Sequence, residues 1–299
     1  RSHRHAPLAA VPTGESHHIP SVVSFLLYPR QPRVPPSPVK LLTQARDLQR
    51  RKARERHQRF VAEGLRTVET LLASPLEVYA LLVTAELAVD PRGAALLEMA
   101  AARGIPVQTV SESELASAAD TDTPQGVLAI AAIPAAEISA PEGAARFLVL
   151  DALQDPGNVG TVIRTAAALG VTATIALPGT VDLWNGKVVR SSMGALFHHP
   201  VCALSWEDLA GFLARHGVAL WAADMDGDPL PDVAAGAVPG RIALVVSNEG
   251  SGLSPHVAAA VARRVSIPMD PKVESLNVAV ATSIVLYALR VASPPSQSS

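Results

Sequence analysis

Three segments of the chain place polar groups where apolar runs end, and amides, hydroxyls and a guanidinium so placed can hold and orient a ligand. In residues 150–170, LDALQDPGNVGTVIRTAAALG, a strand pattern empties into a Pro-Gly-Asn turn and a helix begins near Asn158. That turn falls at the carboxyl end of a strand, where α/β proteins put ligands. Gly157 and Gly160 let a ligand or strand come close, and Arg164 follows about two turns in, roughly on the side of Asn158 and Gly160. In residues 242–253, IALVVSNEGSGL, an all-apolar strand opens into a loop whose main-chain amides can cradle a ligand and whose only charge is Glu249. In residues 266–281, SIPMDPKVESLNVAVA, a Pro-rich turn precedes a helix with Ser275 as N-cap and Asn277 in its first turn. Plain structural accounts exist for each: a capped β-α-β unit with a solvated Arg, a surface hairpin, and a helix cap. A phosphate cradle is disfavoured, since Glu249 would repel a phosphate and no Lys follows the glycines, and the G-x-G-x-x-G dinucleotide fingerprint is missing.

The elements that would carry these groups follow a β-α-β order, which implies a parallel sheet. Strands are expected at 147–151, 172–177, 218–223 and 242–246, with an edge segment at 265–268. Helices are expected at 159–169, 206–216, 255–263 and 276–291. Together they define a domain over residues 145–293. Ahead of it, residues 39–134 read as a small α/β domain: a highly charged helix at 41–60, strands at 78–83, 107–110 and 127–133, and a helix at 94–103 stopped by Gly104. Residues 135–144, rich in Ala, Pro and Glu, form the linker. Residues 1–38 hold eight prolines without periodicity and read as a disordered leader, and 294–299 as a disordered tail. The apolar run 22–28 lacks the small-residue cleavage site of a signal peptide. Because the sequence opens on Arg1 and its first methionine is Met99, the leader is expected to include tag residues or an over-extended start.

With 25 basic against 27 acidic residues, nucleic acid can be met only through a local patch. Residues 40–66 supply one, with nine basic residues against Asp47, Glu55 and Glu63; Arg50, Arg51, Lys52 and Arg54 are its centre. A helix of this kind contacts phosphates without reading sequence, and a solvated amphipathic helix would look the same. The single cysteine, Cys202, excludes an intrachain disulfide and fits a reducing compartment, so the cytoplasm is the expected location. His198, His199 and Cys202 have metal-like spacing without further ligands, and Asp224, Asp226 and Asp228 lack the rest of a calcium loop and read as solvated. The apolar stretch 278–291 is too short to span a bilayer, so neither a metal nor a membrane partner is expected.

Taken in order, the Asn158-to-Arg164 segment, the N-E-G-x-G-L loop and the I-P-M…S-L-N-V-x-A helix start resemble the three motifs of the SpoU (TrmH-type) branch of the SPOUT methyltransferases. Residues 40–134, with VAEGLRTVETLL and the T-P-Q-G-V piece at 123–127, resemble that family's N-terminal substrate-binding domain, less specifically. The resemblance implies an α/β fold: a parallel-sheet methyltransferase domain ending in a trefoil knot, preceded by a small α/β RNA-binding domain. It implies S-adenosyl-L-methionine as cofactor, held by main-chain groups around Ser247, Gly250, Ile267 and Leu276. The family often has Gly where this chain has Ser247. It implies methylation of a ribose 2′-hydroxyl in RNA, ribosomal RNA ahead of transfer RNA, by a homodimer whose site draws on both subunits. A non-catalytic RNA-binding protein retaining the fold is the alternative. Arg164, Asn158, Glu249, Ser275 and Asn277 are the implied catalytic set. A guanidinium stays protonated, so Arg164 is expected to bind the adjacent phosphate and polarise the hydroxyl, with that phosphate or a water taking the proton.

Overall fold

Alternating and continuous apolar runs divide the chain into two sheets that share one core. The computed structural model describes residues 38–135, 138–248, 250 and 252–292. Most of the expected leader, the tail and Glu249 therefore lie outside the described residues. The first part comprises α1 (Pro38–Asp47), α2 (Arg51–His57), β1 (Arg59–Glu63), α3 (Leu65–Ala73), β2 (Val78–Val83), α4 (Ala85–Val89), α5 (Pro91–Ala102), β3 (Val107–Thr109), α6 (Glu112–Ala116) and β4 (Val127–Ala132). Its sheet runs β1-β4-β2-β3, antiparallel except for the β2/β3 pair. Both faces are covered, and the period of two decides which side chain goes where. Phe60, Ala62, Val127 and Ala129 meet α3 and α5, while Val61, Leu128 and Ile130 meet Leu41, Leu42, Ala45 and Leu48 of the α1 region.

The second part comprises β5 (Ala145–Asp151), α7 (Pro156–Ala168), β6 (Ala173–Ala176), α8 (Gly186–Ser191), a 3-10 turn at Ala195–Phe197, β7 (Val201–Ala203), α9 (Trp206–His216) and β8 (Ala219–Pro229). It continues with α10 (Leu230–Ala235), β9 (Arg241–Ser247), α11 (Pro255–Ala260), β10 (Arg263–Ser266) and α12 (Val278–Ala292). Its six strands lie in the order β10-β8-β9-β5-β6-β7, every pair parallel. Buried on both faces, the central strands read as near-continuous apolar runs, as a fully covered parallel sheet requires. Phe147, Val149, Ala243 and Val245 face Leu209, Phe212 and Val257, and Leu148, Leu150, Leu244 and Val246 face the side of α7 and α12. The α/β architecture expected from the sequence is thus the observed one.

Several expectations change. The single helix at 41–60 is two helices and a strand: α2 ends at Gln58, whose φ of 49° turns the chain, and β1 pairs as an edge strand with β4. The basic run masks this strand, because Phe60, Val61 and Ala62 offer too short an alternation to stand out. The last helix begins at Val278, not Leu276. Asp224 and Asp228 are not a solvated loop: β8 extends through them to Pro229, and they pair with Arg264 and with Arg263 (2.8 Å) of β10.

His199 is buried and shares a hydrogen bond of 2.8 Å with Thr174 Oγ1; desolvation lowers its pKa to about 4. Burial likewise pushes the Cys202 thiol up to about 12, a poor state for a metal ligand. The unfolded chain protonates His199 near pH 6.5 and the folded chain does not, so this contribution to stability is present above that pH and lost as pH falls toward about 4. Urea unfolding of wild type should therefore lose up to about 1.4 kcal/mol per pH unit more than His199→Gln across that window. Parallel losses in the two proteins would refute it.

Candidate functional site

Asp155 starts α7: its side chain accepts from the Asn158 N–H at 2.7 Å, and Pro156 supplies a first residue that needs no hydrogen bond of its own. Asn158 is thereby fixed at the head of the helix, above the carboxyl end of β5. Across from it Asn277, rather than Ser275, is the N-cap of α12. The Asn277 Oδ1 accepts from Ala279 N–H at 3.0 Å and Val280 N–H at 3.4 Å, and its Nδ2 donates to Asn158 Oδ1 at 3.0 Å. Asparagine does both jobs because its amide has an acceptor for the helix and a donor left over for the neighbour. Ser275 is exposed two residues outside the helix, and Leu276 is half-buried beside it. A second bond, Thr165 Oγ1 to Ser283 Oγ at 3.1 Å, holds α7 and α12 together further along.

Arg164 stands exposed on α7. Six residues from Asn158, it sits about 9 Å along the axis and about 120° around it. The guanidinium and the amide pair therefore do not share one face, as the sequence reading had them. Gly160 has a different use from ligand approach: a Cβ there would come within 2.0 Å of Ser191 Oγ, so its absence lets α8 pack on α7.

Ser247, half-buried, ends β9 in register with Asp151 at the end of β5. Sequence reasoning passed over Asp151. It is buried, and its Oδ2 accepts from the Ser254 N–H at 2.7 Å, tying the far end of the 248–254 loop down over the sheet. An acidic residue closing the apolar run 147–150 was the available signal. Within the loop, Asn248 accepts from Gly250 N–H through its side chain at 2.9 Å and from Gly252 N–H through its carbonyl at 3.0 Å. Ile267, just past β10, is half-buried against the core, and Gly250 is exposed.

The basic patch is smaller than its sequence suggests. Arg54 is not an RNA contact: only 3% exposed, it donates to Asp182 at 2.6 Å and to the carbonyls of Leu48 and Gln49 at 2.7 and 2.9 Å. Arg50 pairs with Asp47 and Arg51 with Glu55 at 2.7 Å, both exposed, and Lys52 is exposed beside them. No group of three or more His, Cys, Asp or Glu able to hold a metal occurs among the described residues, and no helix among them is long and apolar enough to cross a membrane.

Residues 145–287 match the SpoU rRNA Methylase family, and residues 40–129 match the MRM3-like substrate binding domain. The Bacillus subtilis 23S rRNA (guanosine(2553)-2′-O)-methyltransferase RlmP is 34% identical over 244 residues, covering 81% of this chain and 93% of that protein. The chain belongs to the SpoU rRNA methylase family. Two crystal structures of methyltransferases share its fold. The AdoMet-bound rRNA methyltransferase from Sinorhizobium meliloti is 28% identical with a TM-score of 0.73, over 84% of this chain and 94% of that one. The SpoU methyltransferase AviRb from Streptomyces viridochromogenes, in complex with AdoMet, is 26% identical with a TM-score of 0.74, over 84% and 97%. In this SpoU chain the parallel sheet lies in the methylase match, and the four-stranded sheet in the substrate-binding match.

Proposed function

We propose that this chain transfers a methyl group from S-adenosylmethionine to a ribose 2′-hydroxyl of ribosomal RNA, with the site at the meeting point of α7, α12 and the 248–254 loop. The observation that carries the placement is the Asn158–Asn277 hydrogen bond, which joins two motif segments 119 residues apart over the carboxyl edge of the parallel sheet. The two AdoMet-bound relatives and the RlmP likeness support the cofactor and the reaction.

The residues present suit that cofactor. Ile267 and Leu276 are half-buried apolar side chains, and Ser247 and Gly250 offer main-chain groups at the end of β9 and in the loop after it. Apolar side chains and uncharged main-chain groups suit an adenine and a sulfonium better than a phosphate. These four would hold S-adenosylmethionine, which supplies an already activated methyl group. The work left to the chain is alignment and proton removal. Arg164 binds the phosphate next to the acceptor and polarises the hydroxyl, and that phosphate or a water accepts the proton. Asn158, Glu249, Ser275 and Asn277 orient the ribose. Arg50, Arg51 and Lys52 contribute phosphate contacts; Arg54 does not.

The same reading includes the C-terminal trefoil knot and a homodimer. From β10 at the sheet edge, residues 267–277 must return past β8 and β9 to reach Asn158, which supports a crossing at the 248–254 loop; a crystal structure traced through both segments tests it. Val280, Ile284, Tyr287 and Val291 form an exposed apolar stripe along α12, with Tyr287 62% and Val291 61% exposed. In this reading a second copy packs on that stripe and the site draws on both subunits. Tyr287→Glu should convert a dimer to a monomer in sedimentation equilibrium and abolish methyl transfer together; a monomeric wild type would remove the dimer from the reading.

A tritium-transfer assay on unmodified ribosomal RNA tests the activity itself. Label should enter the RNA and vanish when the acceptor nucleotide carries a 2′-deoxyribose. Label retained on the deoxy acceptor would place the methyl group elsewhere.

A further inference from the structure

A cleft of about 380 Å³ opens between the four-stranded sheet and α8, its exposed lining more apolar than polar. Glu63 and Arg66 border it from β1 and α3, Thr121 and Thr123 from the approach to β4, and Arg190 and Met193 from the end of α8.

Arg190 is held but not satisfied. Its Nη2 donates to Asp120 at 2.7 Å, while its buried Nη1 lies 3.6 Å from Glu63 Oε2 and has no hydrogen-bond partner among the described residues. Glu63 is already engaged by the Asp120 N–H at 2.8 Å and by the Thr121 hydroxyl. Closed to solvent beside Glu63, that nitrogen keeps the guanidinium fixed as part of the cleft wall.

Met193 is the second observation. Its φ of 51° puts a non-glycine residue in the left-handed region, yet its side chain is 53% exposed and the core gains little from it. The turn is pinned from both sides: Met193 N–H donates to the Arg190 carbonyl at 3.0 Å, and a Cβ on Gly194 would come within 2.4 Å of Thr70 Cγ2. Backbone strain kept in order to hold a polarizable apolar side chain at a cleft mouth marks a binding feature. Arg66, exposed at the rim and within electrostatic reach of Glu69, adds a cation, and the Thr123 hydroxyl adds a group that can read a base edge.

The position relates the cleft to the reaction centre. Ser191, next to Arg190, donates to the Pro156 carbonyl at 3.1 Å and fills the space that Gly160 leaves on α7. One short helix thus forms a wall of the cleft and braces the segment that carries Asn158.

We propose that this cleft takes up one unstacked nucleotide of the RNA substrate, a neighbour of the nucleotide that is methylated. Its base packs on Met193 against the wall that Arg190 helps to form, and its phosphate lies on Arg66. Single-stranded RNA is read in this way, by bases turned out of the stack onto flat or polarizable side chains. The proposal rests on the RNA methyl-transfer reading and names a further part of that substrate's footprint.

The test uses the full chain and an unmodified ribosomal RNA transcript. Met193→Gly relieves the backbone while removing the side chain, and Arg66→Ser alters an exposed position, so neither threatens folding. Each should lower kcat/KM for the RNA about five- to tenfold, the scale of a lost side-chain contact to a ring, with S-adenosylmethionine affinity and Tm unchanged. Wild-type kcat/KM in Met193→Gly would overturn the cleft. A photoreactive benzoylphenylalanine in place of Met193 should crosslink to the transcript whether or not methyl is transferred. No adduct overturns the cleft; an adduct with a wild type that transfers no methyl sustains it and overturns the activity instead.

Discussion

Arg164→Ala is expected to lower methyl transfer to ribosomal RNA by about 10²-fold or more, with S-adenosylmethionine binding unchanged by calorimetry. Arg164 is exposed on α7, so its removal leaves no hole in the core and should not shift Tm. The loss therefore reports on the reaction and not on folding. A guanidinium does not titrate in the working range, so the residual activity of the variant should show the same pH profile as wild type. Arg164→Lys keeps the charge without the two-pronged fork that grips phosphate, and should fall between the two. Wild-type turnover in Arg164→Ala would remove Arg164 from the mechanism, and a changed pH profile would make it the base after all.

Arg54→Ala should be the most damaging single change to stability among the basic residues of the N-terminal helices. The wild-type guanidinium spends its donors on Asp182 and two carbonyls in a site closed to water. Removing it leaves the Asp182 carboxylate, whose side chain is only 17% exposed, with the Trp184 N–H but without its counter-charge, and leaves the carbonyls of Leu48 and Gln49 without this donor. Breaking a buried pair from one side costs about 3–5 kcal/mol. For a domain of this size that lowers Tm by roughly 10 °C or more. Calorimetry on Arg54→Ala and Lys52→Ala separates the two roles: the first should lose stability with its RNA salt dependence unchanged, the second the reverse. A stable Arg54→Ala with a flattened salt slope would restore Arg54 to the RNA surface.

The Arg54 result shows where sequence stops being informative. Net charge along residues 40–66 is visible in one dimension, but whether a guanidinium meets phosphate or an internal carboxylate depends on Asp182, 128 residues away. The two-sheet α/β architecture was legible because unbroken apolar runs of five or six residues, in β9 and β4, exceed anything a loop would hold. Short elements were not: α8 and β7 have six and three residues, too few to show a period. The three motif segments were legible as polar groups at the ends of strands and helices. The donor left over on Asn277 was not, because capping by Ser275 and capping by Asn277 look equally good until α7 is placed alongside. Met193 gave no signal, since its backbone angle and exposure exist only in three dimensions.

Phe60 lies 4.6 Å from Trp184 and 5.9 Å from Phe197, and with the Arg54–Asp182 pair this contact fastens the two sheets into a single body. With its two sheets packed together in this way, the chain leaves the RNA a share of the adaptation on binding. A loop that already holds its nucleotides open meets the surface at no cost, whereas the same sequence inside a helix must first unpair and unstack, at a few kcal/mol per nucleotide. Deformability then becomes a criterion of selection in its own right, and two RNAs of identical sequence differ as substrates by how readily they open.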